Sequence, residues 1–282
     1  MLYKFFTVNE NSLFALRNSS LWFSKVSEFN DPFEGGVQKK LKNLDNGTLV
    51  KIIKGINENG GINTHLGIKN KKETYEALTE MLLNGHSIAL KNILATVLNS
   101  AFDAVLEEYE NSGVCCFISN SGRIENESPL GNRLMWSHYA NGLRGFVLEL
   151  KKDKIFDFKE CNVTGPYIVN YTNNYPVIDL VDLAMQHFVN KDQEKTNKYI
   201  SLMIESKNKD WEYENEVRYI CSNGNALLKY NPKAIESLHI GEKMPKLEKE
   251  NILSIARDVG IKNIFESKLE SGSYSIKSHK YI

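Results

Sequence analysis

Residues 113–119 read GVCCFIS, apolar almost throughout. A strand with apolar side chains on both faces must be covered on both, so this segment is expected inside a sheet. The adjacent Cys115 and Cys116 then point to opposite faces and read as small apolar residues. The four cysteines, Cys115, Cys116, Cys161 and Cys221, form no C-x-x-C pair, which gives a zinc site little support. A reducing, cytoplasmic setting is the expectation.

Other strand patterns are scattered along the chain. LYKFF and LWFS bracket a short helix near residues 9–18, capped by Asn9 or Asn11. LRGFVLEL, NVTGPYIVNYT and NALLKY follow later, and IESLHIG, a helix near 247–259, IKNIFES and SYSIK complete the chain. Residues 128–142 read as a helix, with Ser128 as cap, Pro129 in its first turn and Gly142 at its end. Residues 177–208 read as two further helices. Residues 88–106 carry Leu90, Leu94, Val97, Leu98, Ala101 and Val105 as one helical stripe. Without a regular βαβ alternation, the expected class is α+β with mixed or antiparallel sheets. Residues 1–282 are expected to form a single α+β domain, with the lysine- and asparagine-rich stretch 37–112 as a helical insertion. NENGGINTHLGIKNKK, within that stretch, reads as an exposed loop.

Lysine plus arginine and aspartate plus glutamate both number 35, so no global attraction to nucleic acid or an anionic membrane is expected. No apolar run looks long enough to span a bilayer, and MLYKFFTVNENS lacks the pattern of a secretory peptide. There is no Gly-rich phosphate loop, no H-E-x-x-H, no G-x-S-x-G and no kinase motif set.

Three segments carry candidate chemistry. The first, KDWEYENEVRYICS, reads as a strand that stacks Glu212, Glu214, Glu216 and Arg218 on one face. Like charges side by side are unfavourable unless something uses them. A Glu-x-Glu pair suits glycosidic chemistry, where one carboxylate stabilises a developing cation and the other handles a proton. The second segment, FSKVSEFNDPFEG, places Asn30, Asp31 and Glu34 at a turn held by Pro32, with Phe29 and Phe33 expected to anchor it to the core. The third, RLMWSHYANGLRG, offers Trp136, His138 and Tyr139 as a surface for a planar ring.

Taken in order, LYKFF, LWFSKVSEFNDPFEG, CCFIS, LMWSHYANGLRGFVLEL, KDWEYENEVRYI and IESLHIGEKM resemble the bacterial DUF2971 family. The resemblance implies a setting in abortive infection or phage defence. The opening strand, helix and second strand are also similar to the start of ADP-ribosyltransferase-like proteins. That similarity implies a split β core, NAD as substrate and no metal. It implies Lys4 as the first basic residue and Glu214 and Glu216 as the Glu-x-Glu, with Glu216 the key catalytic residue. The substrate-binding set expected from the segments together is Tyr3, Asn30, Asp31, Glu34, Trp136, His138, Tyr139 and Arg218. Lysine stands here where that superfamily has His or Arg, and no Ser-Thr-Ser motif is present.

The leading reading is an NAD-using ADP-ribosyltransferase-like enzyme, acting as a toxin or in defence. Its partners would be a small-molecule nucleotide, a protein or nucleic-acid acceptor and a phage protein as trigger, with no membrane. The alternatives are a metal-dependent nuclease or hydrolase using Asp31, Glu34, Glu214 and Glu216, and a non-catalytic sensor of a phage protein or nucleotide.

Overall fold

The computed structural model describes residues 1–58, 71–120, 128–156 and 162–281. Cys161 and most of the loop expected at 57–72 lie outside these residues. In chain order the main elements are β1 (Leu2–Phe6), α1 (Glu10–Arg17), β2 (Ser20–Lys25), β3 (Gln38–Lys40), α2 (Asn46–Glu58), α3 (Lys71–Leu83) and α4 (Ser87–Asn111). They continue with β4 (Gly113–Ser119), α5 (Arg133–Tyr139), β5 (Phe146–Leu150), β6 (Val163–Ile168), β7 (Asn170–Thr172), β8 (Val177–Asp179) and α6 (Leu180–Ala184). The last are α7 (Gln193–Glu205), β9 (Ser206–Asn208), β10 (Glu216–Cys221), β11 (Ala226–Lys229), β12 (Ile235–Gly241), α8 (Lys246–Val259), β13 (Ile264–Leu269) and β14 (Ile276–Lys280). The class is mixed α+β, as the scattered strand patterns predict.

The chain divides into two compact units. The first comprises Met1–Pro32, Asn111–Tyr171 and Lys207–Ile282. Its ten-stranded sheet runs β11-β2-β4-β1-β5-β12-β13-β14, and β10 pairs with both β4 and β6. The strand pairs are antiparallel except β12 with β13, which are parallel and joined through α8. Strands from both chain ends therefore meet in one sheet.

The apolar GVCCFIS segment is β4, at the centre. Along one edge β10 pairs with it from Gly113 to Ile118. The opposite edge is shared: β2 takes its start, with Ser24 opposite Val114, and β1 takes its end, with Tyr3 opposite Ile118. Between these two pairings the sheet divides. Lys4 bridges the division, its Nζ donating to the Cys116 carbonyl at 2.8 Å.

One face of this sheet packs Leu2, Phe23, Phe117, Phe146, Leu148, Val217 and Tyr219 into a core shared with Ile252, Ile255 and Ala256 of α8. The other face packs Tyr3, Phe5, Ile118 and Val147 against Met135 and Trp136 of α5. Cys115 lies in the first core, whereas Cys116 is only partly buried. α1 begins with a reciprocal cap. Asn9 Oδ1 accepts from the Ser12 amide at 2.8 Å, and the Asn9 amide donates to Ser12 Oγ at 3.0 Å.

The second unit comprises Phe33–Glu110 and Thr172–Ser206. The stretch 37–112, read from sequence as a helical insertion, falls almost wholly within it. Its helices bury apolar stripes, including Leu49, Ile52 and Ile56 of α2 and Leu90, Leu94, Leu98 and Phe102 of α4. β3 and β8 form a parallel pair. The second stretch holds β8, α6, a π-helical turn at Met185–Asn190 and α7. One expectation is revised here. α4 has 25 residues and is long and apolar enough to cross a membrane by length and composition. Its stripe at every fourth position is nevertheless buried within the unit.

Candidate functional site

The glutamate segment folds differently from the strand expected. Lys209–Glu214 is a 3-10 helix, and Asn215 follows in the left-handed region at φ 43°. The strand begins only at Glu216. Asn208 starts the helix, its Oδ1 accepting from the Asp210 amide at 2.9 Å. Glu212 therefore does not share a strand face with Glu216, and the stacked charges reduce to Glu216 and Arg218. Val217, Tyr219 and Cys221 do take the opposite, core-facing side.

A second local revision places Tyr139. Ser128 caps only a short 3-10 turn at Pro129–Gly131, and Asn132 is the cap of α5. Asn132 Oδ1 accepts from the Leu134 and Met135 amides, while its Nδ2 donates to the Tyr213 carbonyl at 2.7 Å. One side chain thus starts α5 and fixes the turn that carries Glu214. Tyr139, at the end of α5, donates its hydroxyl to Glu214 Oε1 at 2.5 Å.

Lys207 joins the two carboxylates. Its Nζ lies 2.6 Å from Glu214 Oε2 and 3.0 Å from Glu216 Oε2, and stands 5.0 Å from the centre of the Trp211 ring. Arg218 takes both oxygens of Glu216, and the Glu216 amide donates to the Tyr171 hydroxyl at 2.8 Å. Glu214, Glu216 and Arg218 are all buried. Burial alone would raise the Glu216 carboxyl, but Arg218 and Lys207 reverse that and hold it well below the usual carboxylate range. Glu214 moves the other way. Burial raises it, the Glu216 charge adds to the rise, and Lys207 offsets only part. The phenol of Tyr139 is pushed upward by burial and by the Glu214 charge.

These groups form one end of a cavity of about 810 Å³ within the first unit. Lys4, Cys116, Tyr139, Lys207, Glu214 and Glu216 line that end, and aromatic side chains of β1, α1 and β2 line much of the remainder. Of the residues singled out from sequence, Tyr3, Lys4, Asn30, Tyr139, Glu214 and Glu216 line this cavity. Arg218 acts on it through Glu216. Asp31 is buried, and Glu34 belongs to the second unit. Phe33 is exposed rather than buried in the core. Trp136 is a core residue, edge-on to Phe5, with Nε1 donating to the Leu130 carbonyl at 2.8 Å. His138 is exposed, with Tyr139 and Tyr213 as ring neighbours.

Sequence reasoning missed Lys207 and Tyr171. It also missed a polar network on the same sheet face as Tyr3. Glu149 accepts from Tyr3 Oη at 2.7 Å and from Ser237 Oγ at 2.5 Å. Ser237 Oγ is 2.8 Å from His239 Nε2, and His239 Nδ1 is 3.1 Å from Ser278 Oγ. The order differs from a hydrolase triad. The carboxylate binds the serine rather than the far ring nitrogen, so it cannot orient the imidazole as a base toward that serine. IESLHIG held a signal for this network: two polar residues, Ser237 and His239, at alternate positions of an apolar strand.

Among the described residues, no group of three or more His, Cys, Asp or Glu side chains could hold a metal ion. The oxygens of Glu214 and Glu216 are instead taken by Lys207, Arg218 and Tyr139.

The fold and site define an α+β protein with a divided sheet and a buried, ion-paired glutamate pair at one end of an aromatic cleft. Residues 135–219 match the family described as Protein of unknown function (DUF2971). That stretch includes Tyr139, Tyr171, Lys207, Glu214, Glu216 and Arg218. No curated protein and no solved structure matches the chain. Neither comparison shows a likeness to ADP-ribosyltransferase-like proteins.

Proposed function

We propose that the cleft is the active site of an enzyme that cleaves the bond between ribose and nicotinamide in NAD, passing ADP-ribose to an acceptor or to water. One observation carries this reading. Two buried carboxylates, two positions apart, line the same end of the cleft with different partners: Arg218 and Lys207 hold Glu216, whereas Lys207 and the Tyr139 hydroxyl hold Glu214. Two carboxylates in different environments are what glycosidic chemistry uses, one as a fixed negative charge and one as a proton carrier. Glu216 is the fixed charge, stabilising the ribosyl cation as it develops. Glu214, whose carboxyl burial raises, takes the proton of the attacking hydroxyl or water. The C–N bond breaks with its electron pair going to nicotinamide, the new bond forms at the ribose carbon, and the released proton resides on Glu214. Lys4 lines the same cleft and takes a phosphate oxygen. A role in phage defence or toxicity, with a protein or nucleic-acid acceptor, belongs to this reading through the family resemblance.

Purified protein should release nicotinamide from NAD in a chromatographic assay, at the same rate with and without chelator. Absence of release overturns the reading, and loss of release on chelation favours a metal-dependent chemistry.

A further inference from the structure

The polar end of the cleft accounts for the reacting groups but not for its other end. There Phe14 of α1 is 54% exposed, Trp22 of β2 is 48% exposed and Leu227 of β11 is 40% exposed, and all three line the cavity. Trp22 and Leu227 are direct cross-strand partners, so their side chains stand together on one face of the β2–β11 pair. Phe23, the next residue of β2, is fully buried on the opposite face. The pleat thus turns one aromatic residue into the core and the other into the cleft. Exposed large apolar side chains grouped together mark binding surfaces, and these line a concavity rather than a flat face. Aromatic faces are well suited to flat rings, because every nucleobase has a π-face to stack.

We propose that this apolar end is a seat for the base of a nucleotide, with Trp22 as its stacking platform. The proposal rests on the reading of the cleft as a nucleotide site and adds where the ligand's ring lies. The base stacks at Trp22, and the ribose to be attacked reaches Glu214 and Glu216 at the charged end. Because a tryptophan face carries little hydrogen-bonding information, the seat recognises planarity more than base identity. Binding at this end then depends on Trp22, whereas the chemical step depends on the glutamates.

The test is calorimetric titration of wild type, Trp22→Leu and Trp22→Phe with AMP, ADP-ribose and ribose 5-phosphate, alongside NAD turnover. Trp22→Leu keeps an apolar side chain and removes the ring. AMP and ADP-ribose are expected to bind wild type at least tenfold more tightly than ribose 5-phosphate. Trp22→Leu should lose that margin, with the affinity for ribose 5-phosphate unchanged, and Trp22→Phe should restore much of it. Equal binding of AMP and ribose 5-phosphate by wild type, or unchanged AMP binding in Trp22→Leu, overturns the seat. So does a failure of all three ligands to bind, and a self-association lost only in Trp22→Leu would then assign the patch to protein docking. AMP binding through Trp22 without NAD turnover would keep the seat and reject the NAD chemistry. NAD turnover with an unchanged KM in Trp22→Leu would do the reverse.

Discussion

Arg218 grips Glu216 from two positions along the same strand, with Nε 2.9 Å from Oε1 and Nη2 3.1 Å from Oε2. Their partners across the sheet are Cys116 and Ile118 of β4, so both side chains project from one face. Both are buried. Removing one member of such a pair leaves the other desolvated and poorly compensated. Arg218→Met is therefore expected to lower stability by about 3–5 kcal/mol in chemical denaturation. The double variant Arg218→Met/Glu216→Met should recover a large part of that loss. A single-variant loss below about 1 kcal/mol would show that the pair does not hold the strand.

Glu149 makes stability depend on pH in the acid range. The His239 imidazole, 3.7 Å away, is the largest influence lowering it, followed by the hydroxyls of Ser237 and Tyr3. Together they outweigh burial and bring the carboxyl down to about 2. A carboxyl lowered by folding stabilises the fold above its unfolded value, and that contribution fades as pH falls through the folded value. Wild type should exceed Glu149→Gln by up to about 3 kcal/mol near neutrality. The two unfolding curves should converge between about pH 4.5 and pH 2. A pH-independent difference would contradict the assignment.

Lys207 sets the balance between the two glutamates. It is the largest influence opposing the upward shift of Glu214. Lys207→Met should therefore raise the Glu214 carboxyl further, while Arg218 keeps Glu216 ionised. Carbon-detected titration of the two side-chain carboxyls would register the change. A downward movement of Glu214 would contradict this role of Lys207.

Some of this was legible in the sequence because it is local. GVCCFIS reads as an interior strand from its own composition, and Asn9 caps α1 through a bond to a residue three positions on. Glu214 and Glu216 stood out as a pair, but their setting did not. Lys207 lies within reach only because Asn215 turns left-handed and brings Glu216 back beside it, and Tyr171 arrives from a separate segment. The alternation of glutamates mimicked a strand. Asn208 and Asn215, at either end of the 3-10 turn, were the available contrary signal, since asparagine favours caps and left-handed turns. The exposure of Phe33 and the burial of Trp136 depend on which neighbours the fold supplies, and neither residue's own chain context states that.

Gly145 marks a place where backbone approach decides the packing around α5. A β-carbon there would stand 2.0 Å from the Phe6 carbonyl oxygen and 2.8 Å from the Ala140 Cα. The glycine amide also donates to the Ala140 carbonyl, and its own carbonyl accepts from Gly241. Gly145→Ala must push β1 away from the end of α5, at a cost of about 1–3 kcal/mol or more. Thermal unfolding would measure it, and an unchanged midpoint would contradict the close approach.

The central claim is the division of labour between Glu214 and Glu216, and single-turnover NAD cleavage by wild type, Glu214→Gln and Glu216→Gln tests it most directly. Glutamine keeps the shape of each side chain and removes its charge. Glu216→Gln is expected to slow the chemical step by about 10²–10³-fold with NAD affinity little changed, as befits a charge that acts on the developing cation. Glu214→Gln is expected to slow it by about 10²–10⁴-fold and to abolish the acid limb of the pH profile, because that limb reports the proton carrier. Wild type and both variants cleaving NAD at the same rate, or a wild type that leaves NAD intact, would contradict the account.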